Sequence, residues 1–328
     1  MKKIRAILVI LFVLFVFNLC LFSDIKKVGQ AGYQFLKIGT IPRAAGMGEA
    51  YSMVGYDASA MFFNPAGLGN MEERFDFNVG QVNWFAGVKY SYACTGLNLG
   101  NWGVIGFNIL SADYGDDIIG TRVASTGKGY VETGRLEVGA YVFGVAYARK
   151  ISNKFTVGGQ VRYAGQHLGE NLMPDGNIKQ NKTSGFVFDF GTIYYPGIKS
   201  FRFGASFRNF AKEYKYEKES FELPLTFTIG AAVNLMDFFD IEDHSLLIAI
   251  DAMHPRDYSE RLNIGVEYLF NDMIAIRCGY KYNYDEEGLT TGLGIKYNIA
   301  GLNVKFDYSY SPFGLLGNVS RFSIGVCF

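Results

Sequence analysis

The sequence predicts an all-β protein: an antiparallel transmembrane β-barrel of about fourteen strands, plugged by an N-terminal segment. Three observations lead to this prediction. The chain begins with an export signal, most of it alternates apolar and polar residues with a period of two, and the connections between the alternating segments differ regularly in length. The predicted divisions are a signal peptide at 1–23, an N-terminal hatch or plug at 24–74 and an outer-membrane barrel at 75–328.

The composition favours strands over helices. Glycine accounts for 40 of the 328 residues and aromatic residues for 16%, whereas proline occurs 7 times. Tyr and Phe are enriched in strands, and Gly supplies tight turns. The mean hydropathy of +0.09 is low for a helical membrane bundle but suits strands with one apolar and one polar face. The formal net charge of zero gives no indication of a nucleic-acid partner.

The first 23 residues have the pattern of a secretory signal peptide. A cationic start, Met1 to Arg5, precedes a short apolar run from Ala6 to Phe17, and cleavage is expected after Ser23. The alternative is an uncleaved membrane anchor, but the run is shorter than the roughly 20 residues that a helical span needs. The sequence therefore predicts export from the cytoplasm.

From about residue 75 to the end, apolar and polar residues alternate. In the last segment Phe322, Ile324, Val326 and Phe328 alternate with polar or small residues. Successive side chains of a strand point to opposite faces, so each such segment has one apolar face. A soluble sheet would show the same alternation, so the pattern alone does not predict a membrane protein.

Strand number, aromatic placement and connection length favour the membrane. The segments number about fourteen, and bacterial single-chain barrels have an even number of strands. Tyrosines such as Tyr280 and Tyr308 lie near the ends of apolar faces, where the ring can sit at the lipid boundary. The connections alternate between short turns, expected in the periplasm, and longer outer loops, such as 116–133, 169–182 and 211–222.

The polar faces carry charged residues that the alternation directs into the lumen. An isolated buried charge is very costly, so these residues need water or partners. They are interpreted first as ion pairs that hold the plug and stiffen the wall, and second as a mildly anion-attracting passage. The predicted lumen cations are Lys89, Arg162, Arg202, Arg208, Arg277, Lys281, Lys296, Lys305 and Arg321, and the predicted lumen acids are Glu137, Asp189, Asp251, Glu267 and Asp307.

Residues 24–74 do not alternate and are rich in small residues. Asp57 can cap a short helix whose end is set by Asn64-Pro65. A barrel of fourteen strands is too wide for its own side chains to fill, so the lumen is the expected place for this segment.

Within this segment, residues 57–68 read DASAMFFNPAGL, and they follow FLKIG at 35–39 and RAAGMGEA at 43–50. Together these phrases resemble the N-terminal signature of the PorV/PorQ family, which belongs with FadL-type transporters of hydrophobic compounds. The resemblance covers residues 29 to 70 closely and the remainder mainly in architecture. It implies a hatch-plugged barrel of fourteen strands, with a hatch motif at Asn64, Pro65, Ala66 and Gly67.

The last residue, Phe328, is an aromatic at the end of an alternating strand. This ending resembles the signal that barrel insertion machinery reads, and the machinery is a predicted partner together with outer-membrane lipid.

Catalytic and metal chemistry find little support in the sequence. The three histidines are isolated, and no serine or cysteine triad stands out, so no enzyme activity, metal or cofactor is predicted. An outer-membrane lipase or protease is the enzyme alternative.

Two functions remain open. The predicted function is uptake of a hydrophobic or amphipathic small molecule through the plugged barrel, with Phe35, Leu36, Phe62 and Phe63 as candidate ligand contacts. The alternative is a PorV-like role in type IX secretion, in which the barrel binds secreted cargo proteins at the cell surface. Both readings rest on the family resemblance.

Overall fold

The computed structural model describes residues 31–115, 118–173, 176–239 and 243–328. The predicted signal peptide lies outside these residues. Among them, no helix is long and apolar enough to cross a membrane.

The described residues form eighteen strands. In chain order they are β1 (Phe75–Asn83), β2 (Lys89–Asn98), β3 (Val104–Asp113), β4 (Ile119–Val123), β5 (Tyr130–Arg135), β6 (Val138–Ser152), β7 (Phe155–Leu172), β8 (Ile178–Tyr194), β9 (Arg202–Phe210), β10 (Tyr214–Lys215), β11 (Ser220–Phe221), β12 (Thr226–Asn234), β13 (His244–Pro255), β14 (Arg261–Phe270), β15 (Ile274–Tyr282), β16 (Leu289–Ile299), β17 (Leu302–Pro312) and β18 (Asn318–Cys327).

Fourteen of these strands close into one antiparallel barrel, which confirms the predicted fold class. Strands β4–β5 and β10–β11 form separate two-stranded sheets. The barrel closes where β1 pairs with β18, from Asp76 opposite Cys327 to Asn83 opposite Ser320. The final residue extends this seam, because the backbones of Phe75 and Phe328 exchange two hydrogen bonds of 3.0 Å and their rings lie 5.3 Å apart.

The wall has an apolar outer face. Along β15, Ile274, Ile276, Cys278, Tyr280 and Tyr282 are exposed, while the residues between them are buried. The same alternation recurs around the ring, and it leaves large apolar side chains on the outside. A continuous outer belt of this kind suits contact with lipid.

The connections at the two ends of the barrel differ, as the sequence predicts. At one end, short turns with left-handed residues join the strands, such as Asn271 (φ 50°) and Ala300 (φ 51°). At the other end, β4–β5 and β10–β11 lie within long connections. The prediction of a loop at 169–182 is wrong, because β7 and β8 continue into these residues and pair as far as Leu172 opposite Ile178. Four of the connections contain 3₁₀ turns, at Phe85–Gly87, Gly100–Trp102, Met236–Phe238 and Gly314–Leu316.

The N-terminal segment, residues 31–74 of the described chain, forms four short helices rather than strands. Three are 3₁₀ helices, at Gln34–Lys37, Ala58–Phe62 and Pro65–Asn70, and one is an α-helix at Pro42–Gly46. The Asp57 side chain caps the Ala58–Phe62 helix by accepting from Ser59 N. Asn64 and Pro65 do more than end this helix, because the Asn64 side chain also caps the next one, in which Pro65 is the first residue.

Two adjacent glycines of β7 allow a test of the packing between the wall and this segment. A Cβ at Gly158 would lie 2.5 Å from backbone atoms of Pro65 and Ala66, whereas a Cβ at Gly159 would lie 3.7 Å from its nearest neighbour. We expect Gly158→Val to lower the free energy of unfolding by about 1–3 kcal/mol through overpacking. The control Gly159→Val faces outward and should leave stability unchanged or higher. Urea unfolding, followed by the heat-dependent gel mobility of the barrel, measures both; equal effects would contradict the packing.

Candidate functional site

The N-terminal segment lies inside the ring of strands. Its helix at Pro42–Gly46 contacts β15 to β18, the helix at Ala58–Phe62 contacts β1 to β3, and the helix at Pro65–Asn70 contacts β3 and β6 to β8. A segment that meets the inward face on all these sides occupies the lumen. Small residues allow the close approach: a Cβ on Gly46 would lie 2.9 Å from the Cα atom of Gly292.

The predicted hatch motif fastens one part of the segment to the wall. All four of its residues are buried. Asn64 Oδ1 accepts from Ala66 N at 3.0 Å, and Asn64 Nδ2 donates to the carbonyl of Thr192 on β8 at 3.3 Å. At Gly67, a Cβ would lie 2.5 Å from the Gly55 carbonyl oxygen. The residues of the motif therefore shape a tight turn against β7 and β8.

A buried ion-pair network joins the segment to the strands opposite. Arg43 donates to both Glu267 oxygens, at 2.9 Å and 2.7 Å. Arg277 donates to Glu267 and to Asp307, each at 2.6 Å. Charge-assisted, bidentate geometry of this kind is strong and directional. The network therefore fixes the short α-helix against β14, β15 and β17.

Lys305 forms a second bridge between segment and wall. Its ammonium group lies 2.8 Å from Asp76 on β1 and 3.6 Å from Asp57 in the segment. Asp57 thus caps a helix and shares a cation with the barrel. Burial raises the pKa of Asp57, but the charges of Lys305 and Arg43 outweigh this effect and hold the pKa below its ordinary value.

Lys281 forms a third bridge. It pairs with Glu49 of the segment at 3.0 Å and with Glu287 of the β15–β16 loop. Burial raises the pKa of Glu49, but Lys281 and Arg321 have the larger combined effect, so the pKa lies below its ordinary value. Glu49 therefore carries its negative charge at neutral pH.

The other predicted lumen cations on the inward face have different partners. Arg162 pairs with Asp189 at 2.6 Å, within the wall. Three arginines donate instead to backbone carbonyls of the segment: Arg202 to Met53, Arg208 to Phe62 and Arg321 to Gly39. Lys296 is half-buried and lines cavities at the short-turn end.

Two lumen predictions are wrong. Lys89 lies on the outward, exposed face of β2, because Tyr90, Tyr92 and Cys94 take the inward positions. Tyr92 packs on Phe62 of the segment at 5.6 Å. The prediction treated the aromatic face of this strand as the lipid face. Glu137 lies exposed just before β6, outside any strand.

Several residues of this network were missed by the sequence analysis. Asp257, in the β13–β14 loop, accepts from Gln34 at 2.8 Å and from Lys37 at 3.0 Å. Tyr51 and Ser52 donate their backbone N–H groups to Asp251, at 3.0 Å and 2.9 Å. Charged residues of the segment such as Lys37, Arg43 and Glu49 could have indicated this network, because charges that enter a lumen require partners.

The four candidate ligand contacts lie in tight packing. Phe35 and Leu36 are buried, and the ring of Phe35 lies 5.3 Å from that of Tyr33. Leu36, Phe62 and Phe63 line a cavity of about 20 Å³. Because one water needs about 10–15 Å³, this space does not hold an organic ligand without movement of the segment.

Two larger cavities lie on opposite sides of the segment. The cavity at the end with long loops has a volume of about 230 Å³, and the cavity at the short-turn end has about 650 Å³. Both are lined by charged and polar side chains as well as apolar ones. Among the residues that the structure describes, no His, Cys, Asp and Glu group of three or more is placed to hold a metal ion.

The model of the type IX secretion system membrane protein PorP/SprF family matches residues 55–325. The chain belongs to the PorP/SprF family. Its description is that of a type IX secretion system membrane protein, and the PorV/PorQ assignment stays a prediction. No curated protein matches the chain.

Solved structures with a similar fold include two toluene transporters and a FadL homologue. The toluene transporter TbuX of Ralstonia pickettii is 16% identical, with a TM-score of 0.57 over 88% of this chain and 97% of its own. A FadL homologue of Pseudomonas aeruginosa is 10% identical, with a TM-score of 0.55 over 89% and 98%. The Pseudomonas putida toluene transporter TodX is 13% identical, with a TM-score of 0.52 over 87% and 95%. The PorP/SprF protein is therefore a FadL-like barrel of the outer membrane.

The buried network predicts the effect of removing its shared carboxylate. Glu267→Gln leaves Arg43 without its acidic partner inside the lumen, so we expect a loss of about 3–5 kcal/mol in the free energy of unfolding. The matched control is Glu217→Gln, whose pair with Lys179 is exposed and worth about 1 kcal/mol or less. Urea unfolding gives the free energies, and limited proteolysis within residues 31–74 reports release of the segment. A Glu267→Gln protein as stable and as protease-resistant as the control would contradict this role.

Proposed function

We propose that this protein is an outer-membrane component of a type IX secretion machine that binds secreted cargo proteins at the cell surface, and that residues 24–74 form its hatch. The observation that carries the proposal is the PorP/SprF family match over residues 55–325.

The contents of the lumen support a role at the barrel surface. The segment is held from three sides by Glu267, Lys281 and Lys305, and the cavity beside its phenylalanines is small. A polypeptide cargo would need all of these contacts to break before it could pass. The proposal therefore assigns cargo to the outer end of the barrel rather than to its lumen.

The hairpins at the long-loop end offer a surface for such cargo. Val123 and Ile119 of β4 are 91% and 54% exposed, and Ile178 at the start of β8 is 66% exposed. Strands β4 and β5 lie in a long connection at the end away from the short turns. At the same end, β7 and β8 continue as a paired hairpin past the last residues that pair with β6 and β9. Exposed apolar side chains outside the lipid belt are typical of protein contacts.

Secretion in the source bacterium tests the proposal. Deleting the gene should remove proteins with type IX C-terminal domains from the medium and cell surface, and should leave them in the periplasm. In the deletion strain, a double variant with Val123→Asp and Ile178→Asp should restore barrel levels in the membrane but not secretion, because a charge opposes burial of an apolar contact.

The matched control for these variants is Asn101→Asp, which adds a charge to an exposed turn at the opposite end of the barrel. It should restore secretion fully. An unchanged secretome in the deletion strain would contradict the proposed role in secretion. Normal secretion by the double variant would show that the hairpins are not the cargo-binding surface.

The second candidate is uptake of a hydrophobic or amphipathic small molecule, and the FadL-like fold favours it. In this reading the segment must move, because Leu36, Phe62 and Phe63 leave about 20 Å³ between them and neighbouring residues.

Uptake can be measured in liposomes that contain the purified protein. A labelled hydrophobic tracer should enter faster than into empty liposomes, and Phe63→Ala should raise the rate because it widens the cavity. Phe143→Ala, on the exposed outer face of β6, is the control. If wild-type protein and Phe63→Ala both leave the rate at that of empty liposomes, uptake is excluded for that tracer.

A further inference from the structure

We propose that the cavity of about 230 Å³ at the outer end of the lumen binds a compact, doubly charged oxyanion, such as phosphate or a short dicarboxylate. This site is independent of the secretion role. It is built from the segment and from several strands, and not all of its charges form ion pairs with residues that the structure describes.

The position of the cavity opens it to the outside. Trp84, Pro255 and Tyr284 line it, and each lies where a strand ends next to an outer loop. Lys37 and Glu49 of the N-terminal segment line its inner side. The cavity is therefore reached from the long-loop end and closed toward the periplasm by the segment.

Four cations line the cavity: Lys37, Arg208, Arg261 and Lys281. Two of them are already neutralised. Lys37 pairs with Asp257 at 3.0 Å, and Lys281 pairs with Glu49 and Glu287. Arg321, which lies over the ring of Trp84, adds a positive charge that interacts electrostatically with Glu49 and Glu287. The two remaining arginines give the cavity its surplus of positive charge.

Arg261 is held as a donor without an acceptor. Its guanidinium carbon lies 4.0 Å from the ring centroids of both Tyr258 and Tyr284. Its buried Nε has no hydrogen-bond partner among the described residues. A buried donor without an acceptor is costly, and an oxyanion would supply the missing acceptor.

Arg208 presents a second cation to the same cavity. It donates to the carbonyl of Phe62 at 2.7 Å and lies over the ring of Phe63 at 5.4 Å, and no described carboxylate forms an ion pair with it. Two guanidinium groups in one small cavity, neither with an ion-pair partner within 4 Å among the described residues, match a ligand with two negative charges. Arginine suits this role because its planar fork matches carboxylate and phosphate oxygens.

The tryptophans provide a direct binding assay. The chain has two, and Trp84 lines the cavity whereas Trp102 lies exposed at the short-turn end. In Trp102→Phe protein, the fluorescence of Trp84 should change saturably when inorganic phosphate or succinate is added at constant ionic strength. Calorimetry with the unaltered protein should give the same Kd. Comparing the two anions identifies the better fit, and neutral succinamide should produce no change.

Variants separate a site from general charge attraction. Arg261→Gln and Arg208→Gln should each raise the Kd by about tenfold or more, because each removes charge-assisted hydrogen bonds to the anion. The matched control is Arg122→Gln, an exposed arginine of β4 at the same end of the barrel, and its Kd should not change. Arg261→Lys keeps the charge but loses the planar fork, so it should also weaken binding.

The absence of a saturable response to both anions in the unaltered protein would overturn the proposal, whatever the variants do. So would binding that Arg122→Gln weakens as much as Arg261→Gln does, since that result would indicate general charge attraction rather than a site.

Discussion

The structure depends on one constraint: the charges that fourteen strands direct into the lumen must find partners inside it. A charge in a space with little water is very costly unless it is paired. Here the N-terminal segment supplies many of the partners, from carboxylates such as Glu49 and Asp57 to the backbone carbonyls that accept from Arg202, Arg208 and Arg321. The segment and the inward face of the wall therefore form one packed unit, and each requires the other.

Because the segment and the inward face of the wall pack together, the barrel differs from an open pore. Cavities of about 230 Å³ and 650 Å³ lie on opposite sides of the segment, and the contacts between them are buried ion pairs and close backbone packing. Opening the lumen would expose several charges together, so small thermal motions do not create a passage. A barrel built in this way suits functions at its ends, such as cargo binding by the outer hairpins and binding of an anion in the outer cavity.

The comparisons show why a similar fold does not establish a shared function. The barrel resembles toluene transporters in architecture at 13–16% identity, which establishes the fold alone. The family that matches the chain is described as a type IX secretion system membrane protein family. In this chain the interior is charged and tightly packed, and the outer hairpins carry exposed apolar side chains.

The sequence by itself determined the barrel. Period-two alternation, unequal connections and a strand-forming composition fix which residues face lipid, because one-residue slips would turn an apolar face inward. It wrongly placed Lys89 in the lumen. Tyr90 and Tyr92 suit either lipid or a packed lumen, and only the N-terminal segment beside them decides that they face inward. It also missed Asp257 and Arg261, and it placed Arg208 in the lumen without placing it beside Arg261. Lys37 lies far from Asp257 along the chain, and Arg208 lies far from Arg261. Only closure of the barrel around the segment brings these groups together and decides which charges stay unpaired.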